Sequence, residues 1–390
     1  MAVRNIILPP DKTLHTLNIG FDAKRAFQNR TGLGNYSRTL IRSLAEIYPQ
    51  HQYFLFAPKT KPLFRPPAHM PVILPGKTHH RLLKSVWRSR WMVSDLQQQQ
   101  IDVFHGLSAE LPFGVHRIPV KTAVTMHDLI FERYPGQYNP IDVYTYRKKA
   151  RYACKHAHRV VAISEQTKQD LMLFYGVPAD RISVCYQACD PAFAVLHPQE
   201  VISAMLRQYG LPEKYFLYVG SVIERKNLLR IAEALHQLKG RLNVPLVVVG
   251  DGGKYKETVK SYLRQKGLAQ QVIWLNETAS FTFKDLPALF QGALALLYPS
   301  LFEGFGIPIL EALWSRTPVI TSQGSCFLET GGDAALYVDP LSPEAIAGAM
   351  ESVSENGTFV EGMRERGWMH AQNFTIPKCA AAVMNVYENL

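Results

Sequence analysis

Two cations stand side by side at Arg225 and Lys226, and two carboxylates recur in a Glu-x7-Glu pattern at Glu303 and Glu311. The cations follow Gly220 and Ser221 at the end of an apolar run in YVGSVIERKNLLRIAEAL, directly before a helical pattern that Asn227 is placed to cap. Basic residues at a helix start oppose the helix dipole. Their placement suits a diphosphate, whose charge is favoured by backbone N–H groups and fixed cations together. A solvated basic turn is the plain alternative. The carboxylates bracket EGFGIPILEAL, where Gly304 and Gly306 flank Phe305 and allow backbone to approach a ligand. Pro308 fits the first helical turn, where its missing N–H costs nothing. Carboxylates are poor phosphate ligands and good acceptors for vicinal hydroxyls, so a molecule carrying sugar, diphosphate and ribose would use all of these parts. An acidic helix start with ordinary core packing is the competing reading.

Three further stretches carry candidates. VVVGDGGKYKE places Gly250, Gly252 and Gly253 after a strand, either near a ligand or in a tight turn; it is not the G-x-G-x-x-G dinucleotide fingerprint. RTGLGNYSRTLIRSL sets Gly32 and Gly34 before a helix, as a close-approach loop. TMHDLIFERYP sets His127 and Asp128 at a strand end, as a functional pair or as a buried histidine bonded to its neighbours.

These residues need elements to hold them. Short apolar runs alternate with amphipathic stretches in both halves of the chain. LNIGFD, QYFLFA, DVFHG, KTAVTMHD and RVVAIS read as strands in the first half, and YFLYVGS, PLVVVGDG, QVIWL, ALALLYPS and TPVITS in the second. Segments 33–48, 142–156, 226–239 and 254–266 have helical period. Strands alternating with helices indicate parallel βαβ units, here two Rossmann-like α/β domains divided near DPAFAVLHPQE, where Asp190, Pro191 and Pro198 interrupt both periods. In such sheets ligands bind beyond the carboxyl ends of strands, which is where the candidates lie.

Composition narrows the class. At 390 residues, 47% hydrophobic and 19% charged, the chain can bury sizeable cores. Its net charge is uneven: residues 1–200 hold 26 Lys and Arg against 14 Asp and Glu (+12), and the remainder 17 against 18 (−1). The five cysteines are scattered without a C-x-x-C pair; Cys185 and Cys189 lack a second ligand pair, so free thiols in a reducing compartment are expected over zinc. The amino-terminal residues lack the apolar core of a signal peptide, and no apolar run reaches spanning length, so a cytoplasmic location is expected. HHRLLKSVWRSRWMVSDL (79–96) mixes Arg81, Lys84, Arg88 and Arg90 with Leu83, Trp87 and Trp91 at helical spacing. It reads either as an interfacial helix on an anionic membrane or as a helix packing its tryptophans on the first sheet. No nucleic-acid signature accompanies it, and nucleic acid is not an expected partner.

With Glu303-x7-Glu311, Arg225-Lys226 and the RTGLGNY loop in this order, joined by MHDLIF and ISEQTKQDL, the chain resembles retaining glycosyltransferases of family 4 over nearly its whole length. It is most similar to the mannosyltransferase-like enzymes of O-antigen and capsule assembly. The resemblance implies a GT-B fold: two facing Rossmann-like domains, 1–195 on the acceptor side and 196–374 binding the nucleotide sugar, with a helix in 375–390 crossing back to the first. It implies that Glu303 holds donor-sugar hydroxyls, Glu311 the ribose, and Arg225 and Lys226 the leaving diphosphate, beside Gly220. Backbone at Gly304, Phe305 and Gly306 would support sugar and phosphates, Gly32 and Gly34 would admit the diphosphate, and His127 would sit by the reacting sugar. The implied donor is GDP-mannose first and a UDP-hexose second, and the acceptor a glycan or lipid-linked saccharide, with the enzyme cytoplasmic or peripheral on the inner membrane face. The chain lacks D-x-D, and its fixed cations imply no essential metal and no cofactor. It departs from the family pattern at Gln187-Ala188-Cys189-Asp190, where Asn-Gly-Val-Asp is common, and at Glu224, where proline often precedes Arg-Lys. A nucleotide-sugar epimerase and a non-catalytic nucleotide-sugar binder are the alternatives; no pyridoxal-phosphate lysine signal supports a phosphorylase.

Overall fold

The computed structural model describes residues 16–277 and 281–390. Two parallel sheets form. The first runs β3-β2-β1-β4-β5-β6-β7, with β1 Asn18–Asp22, β2 Gln52–Phe56, β3 Val72–Ile73, β4 Val103–Gly106, β5 Lys121–Met126, β6 Arg159–Ala162 and β7 Ile182–Val184. The second runs β10-β9-β8-β11-β12-β13, with β8 Phe216–Val219, β9 Leu246–Val249, β10 Val272–Trp274, β11 Ala295–Tyr298, β12 Val319–Ser322 and β13 Leu336–Val338. Central strands of the second sheet are apolar because helices cover both faces: LVVV and ALLY are buried at every position. All ten expected strands form. The sequence reading missed β3, β7 and β13, which are two or three residues long and carry no full alternation.

Strand order reverses between β1 and β4 in the first sheet and between β8 and β11 in the second. The crevice at such a switch point is where open α/β sheets bind ligands. The loops after β8 and β11 carry Arg225-Lys226 and Glu303, so topology alone brings these distant segments together.

The Ile376–Glu388 helix returns to the first sheet. Its Ala380, Val383, Met384 and Tyr387 join Ile41, Leu44 and Tyr53 in one apolar cluster. The Tyr387 hydroxyl lies 2.6 Å from His105 Nδ1, and His105 Nε2 lies 2.8 Å from Thr125 Oγ1. Burial, with His127 adding to it, pushes His105 down to about 3, so the ring is neutral.

Segment 79–96 is not the continuous face expected from its spacing. Thr78–Leu82 forms one helix, Lys84–Val86 another, and Trp87–Trp91 a widened π turn that rotates the following side chains. Trp87 is fully buried with its indole N–H on Asp95 at 2.6 Å, and Trp91 stacks on His80. Arg88 is buried in a three-group ion pair, 2.5 Å from both Asp22 and Glu110. Trp87 and Arg88 therefore have no face for lipid, whereas Leu82 and Leu83 are exposed beside Arg81 and Lys84. Among the described residues no helix is long and apolar enough to cross a membrane. All five cysteines are free thiols, and four of them, Cys185 and Cys189 included, are buried.

Candidate active site

The turn after β8 is built for close packing. Gly220 takes φ +144°, and a β-carbon on Gly250 would lie 1.8 Å from the Gly220 carbonyl oxygen. One on Gly252 would lie 2.2 Å from the Val222 carbonyl oxygen. The GDGG stretch is thus the tight turn of the two readings at these positions, and it lets two loops nest behind Arg225 and Lys226. Asn227 does not cap with its side chain. It takes the left-handed conformation (φ 64°), and its amide donates to the Pro299 and Pro340 carbonyls at 3.0 and 2.6 Å, tying this turn to the loops after β11 and β13. The Leu301 N–H adds a bond to the Arg225 carbonyl at 2.8 Å.

Arg225 Nη1 and Lys226 Nζ converge on Glu303 Oε1 at 2.8 and 2.9 Å, pairing both cations with one carboxylate oxygen. Arg225 also donates to the Phe302 carbonyl. Lys226 Nζ lies 2.7 Å from the Tyr298 hydroxyl and 4.7 Å above its ring centroid. Burial pushes the Glu303 carboxyl up, but Lys226 and Arg225 outweigh it and hold the group below the usual carboxylate range. Two cations meet one carboxylate in this largely buried site, with Asp128 of the first half also acting on Arg225, and a cation pair so held favours an incoming anion.

Glu311 is the fifth residue of the Ile307–Trp314 helix and stands apart from this cluster. Burial, then Asp190, push its carboxyl up to about 8 while Lys226 opposes. The residue remains partly exposed. Phe305 is 2% exposed and packs on Phe374 and Tyr186, and its carbonyl accepts from the Thr330 hydroxyl.

The first half faces this cluster. His127 Nε2 lies 2.9 Å from the Leu107 carbonyl, which fixes the tautomer with the proton on Nε2 and Nδ1 as acceptor. Burial, with a nearby Arg25, lowers its pKa to about 4. Asp128 accepts the Ile130 N–H at 3.0 Å; burial raises its pKa while Arg225 in the other half lowers it. A cavity of about 180 Å³ beside them is lined by Arg25, Leu33, Glu110, Tyr138 and Tyr146. A second, of about 380 Å³, runs between the halves past Tyr138, Arg225, Gly253 and Tyr255. Tyr138 lines both cavities.

Gly32 and Gly34 open the Gly32–Ile47 helix. Gly34 serves its own loop: its N–H goes to the Thr31 carbonyl and the Asn29 side chain, and a β-carbon would lie 2.0 Å from the Asn29 carbonyl oxygen. Gly32 borders open space, and Leu33 between them reaches the cavity. The sequence reading missed Tyr298, Tyr138 and Arg25. Tyr298 ends a strand and reads there as core; only its position at the carboxyl end marks it.

A family model described as Glycosyltransferase Family 4 matches residues 30–193, and one described as Glycosyl transferases group 1 matches residues 205–368. The chain belongs to the group 1, family 4 glycosyltransferases. It is 27% identical over 376 residues to the O-antigen chain mannosyltransferase B of Escherichia coli, covering 92% of this chain and 96% of that one. It is 28% identical over 242 residues to the O-antigen chain mannosyltransferase RfbU of Salmonella typhimurium, covering 62% and 63%. Anabaena HepE, solved with UDP and glucose, superposes with a TM-score of 0.72 at 15% identity, covering 96% of this chain and all of that one. The two facing parallel-sheet halves are thus the GT-B architecture, and this glycosyltransferase is a transferase enzyme.

Proposed function

We propose that this glycosyltransferase moves a hexose from a nucleotide sugar to a glycan or lipid-linked saccharide acceptor with retention of configuration. The observation that carries the reading is the Arg225–Lys226–Glu303 cluster, whose loop packs at Gly304 against His127 of the first half. In this reading residues 1–195 with 375–390 form the acceptor side, and 196–374 hold the donor. Arg225 and Lys226 take the charge that develops on the leaving diphosphate, which is where fixed, desolvated cations lower a barrier most. Glu303, kept ionised by those cations, accepts hydroxyls of the transferred sugar. Glu311 accepts or shares protons with the ribose hydroxyls. Neutral His127 offers Nδ1 to a sugar hydroxyl and adds no charge beside the developing oxocarbenium. The leaving phosphate takes the acceptor proton, so no protein nucleophile is required. Fixed cations stand where a metal would otherwise neutralise the diphosphate, and the proposal includes no metal and no cofactor.

GDP-mannose is the first donor proposed, because the relatives above are named mannosyltransferases, and the same names suggest a role in O-antigen assembly. A UDP-hexose is the second, because HepE holds UDP and glucose. The proposed location is cytoplasmic, with the exposed Leu82 and Leu83 beside Arg81 and Lys84 touching the inner membrane face where a lipid-linked acceptor lies. The test is a thermal-shift screen across nucleotide sugars, followed by proton NMR of the product's anomeric centre. A ligand at 100 times its Kd stabilises by ~2.7 kcal/mol. GDP-mannose is expected to give the largest shift and an α-linked product. Inversion at the anomeric carbon would reject retention, and turnover without an acceptor to an altered free sugar would favour an epimerase.

A further inference from the structure

The Glu165–Tyr175 helix follows β6 in the first half, and its opening turn is completed from the other half. The first four N–H groups of a helix lack partners within it. Here Thr167 N–H goes to Ser164 Oγ at 3.0 Å, and the first regular bond of the helix runs from Lys168 N–H to the Ser164 carbonyl, also at 3.0 Å. The N–H groups of Glu165 and Gln166 go to the two carboxylate oxygens of Glu329 at 2.6 and 3.0 Å. Glu329 belongs to the short Phe327–Gly331 helix of the second half. Its charge sits at the positive end of the first-half helix, the favourable end. Glu165 places a like charge beside it, so this is not the least costly way to finish a helix.

The same helix grips the loop that carries Glu303. Cys326 Sγ and Ser325 Oγ lie 3.2 Å from the Glu303 carbonyl oxygen, and the Thr330 hydroxyl donates to the Phe305 carbonyl. Between these points the fully buried Ser164, from the first half, donates its hydroxyl to the Gly304 carbonyl at 2.7 Å. Ser164 and Glu329 thus face each other across the two halves, each holding what the other half presents. The His370 ring, through Nε2 on the Glu329 carbonyl at 2.9 Å, steadies the far side.

We propose that Ser164 and Glu329 are positioning residues: a reciprocal clamp that sets the Glu303–Gly306 loop against His127 when the two halves meet. The clamp touches neither sugar nor phosphate. It acts through Glu303, whose distance from His127 is fixed only when the halves are in register. Its effect on turnover rests on the sugar-transfer reading; its effect on the relation of the halves does not.

The experiment compares wild type with Ser164→Ala, Glu329→Ala, their double variant and Glu329→Gln. Far-UV circular dichroism checks folding, small-angle X-ray scattering gives the radius of gyration without ligand, and donor-saturation kinetics give kcat and KM. Losing both charge-assisted bonds in Glu329→Ala is expected to increase the radius and reduce kcat/KM by ~10-fold or more. Glu329→Gln, which keeps one acceptor oxygen, is expected to recover part of both. The double variant is expected to lose less than the product of the two single losses, because both substitutions release one contact. Folded Ser164→Ala and Glu329→Ala proteins with the wild-type radius, or with losses that simply multiply, would overturn the clamp. If wild type is not stabilised by any nucleoside diphosphate, the sugar-transfer reading fails while the scattering comparison still decides the clamp.

Discussion

The carbonyl oxygen of His127 and the α-carbon of Gly304 approach so closely that a β-carbon on Gly304 would stand 2.0 Å from that oxygen. One residue directly follows β5 in the first half, and the other follows Glu303 in the second. Glycine at 304 is therefore a condition for the halves to meet. Gly304→Ala should push them apart, with an overpacking cost of ~1–3 kcal/mol. The expected outcome is a fall in kcat of at least ~10-fold with far-UV circular dichroism unchanged; unchanged kcat would show that the approach is not needed for turnover.

Lys226→Ala is expected to reduce turnover by ~10²–10³ while the protein stays folded, the usual effect of losing one preorganised charge partner. Lys226→Arg should recover little, because the site between the Tyr298 hydroxyl and Glu303 fits a compact ammonium. Steady-state kinetics with a melting curve check both. Wild-type turnover in folded Lys226→Ala would refute the diphosphate assignment.

Glu311 predicts a trade between stability and donor binding. Its folded pKa is raised to about 8 by burial and Asp190, above its unfolded value. Such a carboxyl binds more protons folded than unfolded, so it costs stability as pH rises from about 4.5 towards 8. Glu311→Gln should therefore melt higher than wild type at pH 8.5, by on the order of 1 kcal/mol after allowing for partial exposure. At pH 3.5, below both the folded and the unfolded pKa, the two should melt alike. Donor affinity should fall at both values. Equal melting curves at pH 8.5 would contradict the shift.

Treatment with EDTA is expected to leave turnover unchanged, because Arg225 and Lys226 supply fixed charge where a divalent ion would stand. Loss of activity restored by Mg²⁺ or Mn²⁺ would require a metal in the reaction.

Vesicle binding should depend on Arg81, Leu82, Leu83 and Lys84. Each cation near an anionic surface is worth ~1 kcal/mol, screened as salt rises. Co-sedimentation with anionic vesicles at low salt is expected for wild type and not for the variant with all four changed to serine. Equal binding by the two would move the contact elsewhere on the protein.

What the sequence showed depended on how each element is stabilised. Strands buried on both faces, such as LVVV after Pro245, read clearly because burial demands an unbroken apolar run. Short edge strands such as Val72–Ile73 did not, since two residues carry no period. Arg225, Lys226 and Glu303 were legible because charges at the carboxyl ends of apolar strands are out of place in a core. Asn227 misled because a capping residue type says nothing about φ, and the left-handed turn sent its amide to Pro299 and Pro340 instead. Arg88 misled in the opposite direction. Its helical spacing suggested a membrane face, and only the π turn, with Asp22 and Glu110 far away in sequence, makes it a buried ion pair. Ser164 read as the end of the strand RVVAIS and as part of a family motif, and its partner at Gly304 lies in the other half.

The Ile376–Glu388 helix places a piece of the first half's core after the whole second half in the order of synthesis. On the ribosome the first sheet emerges with Ile41, Leu44 and Tyr53 uncovered, and it waits for Tyr387 while the second sheet is made. That delay exposes apolar surface during the slowest part of folding, when parallel sheets are already prone to aggregate. A first-half fragment ending near residue 195 would keep the gap permanently. Separating the halves for study therefore calls for a fusion that returns residues 375–390 to the amino-terminal piece.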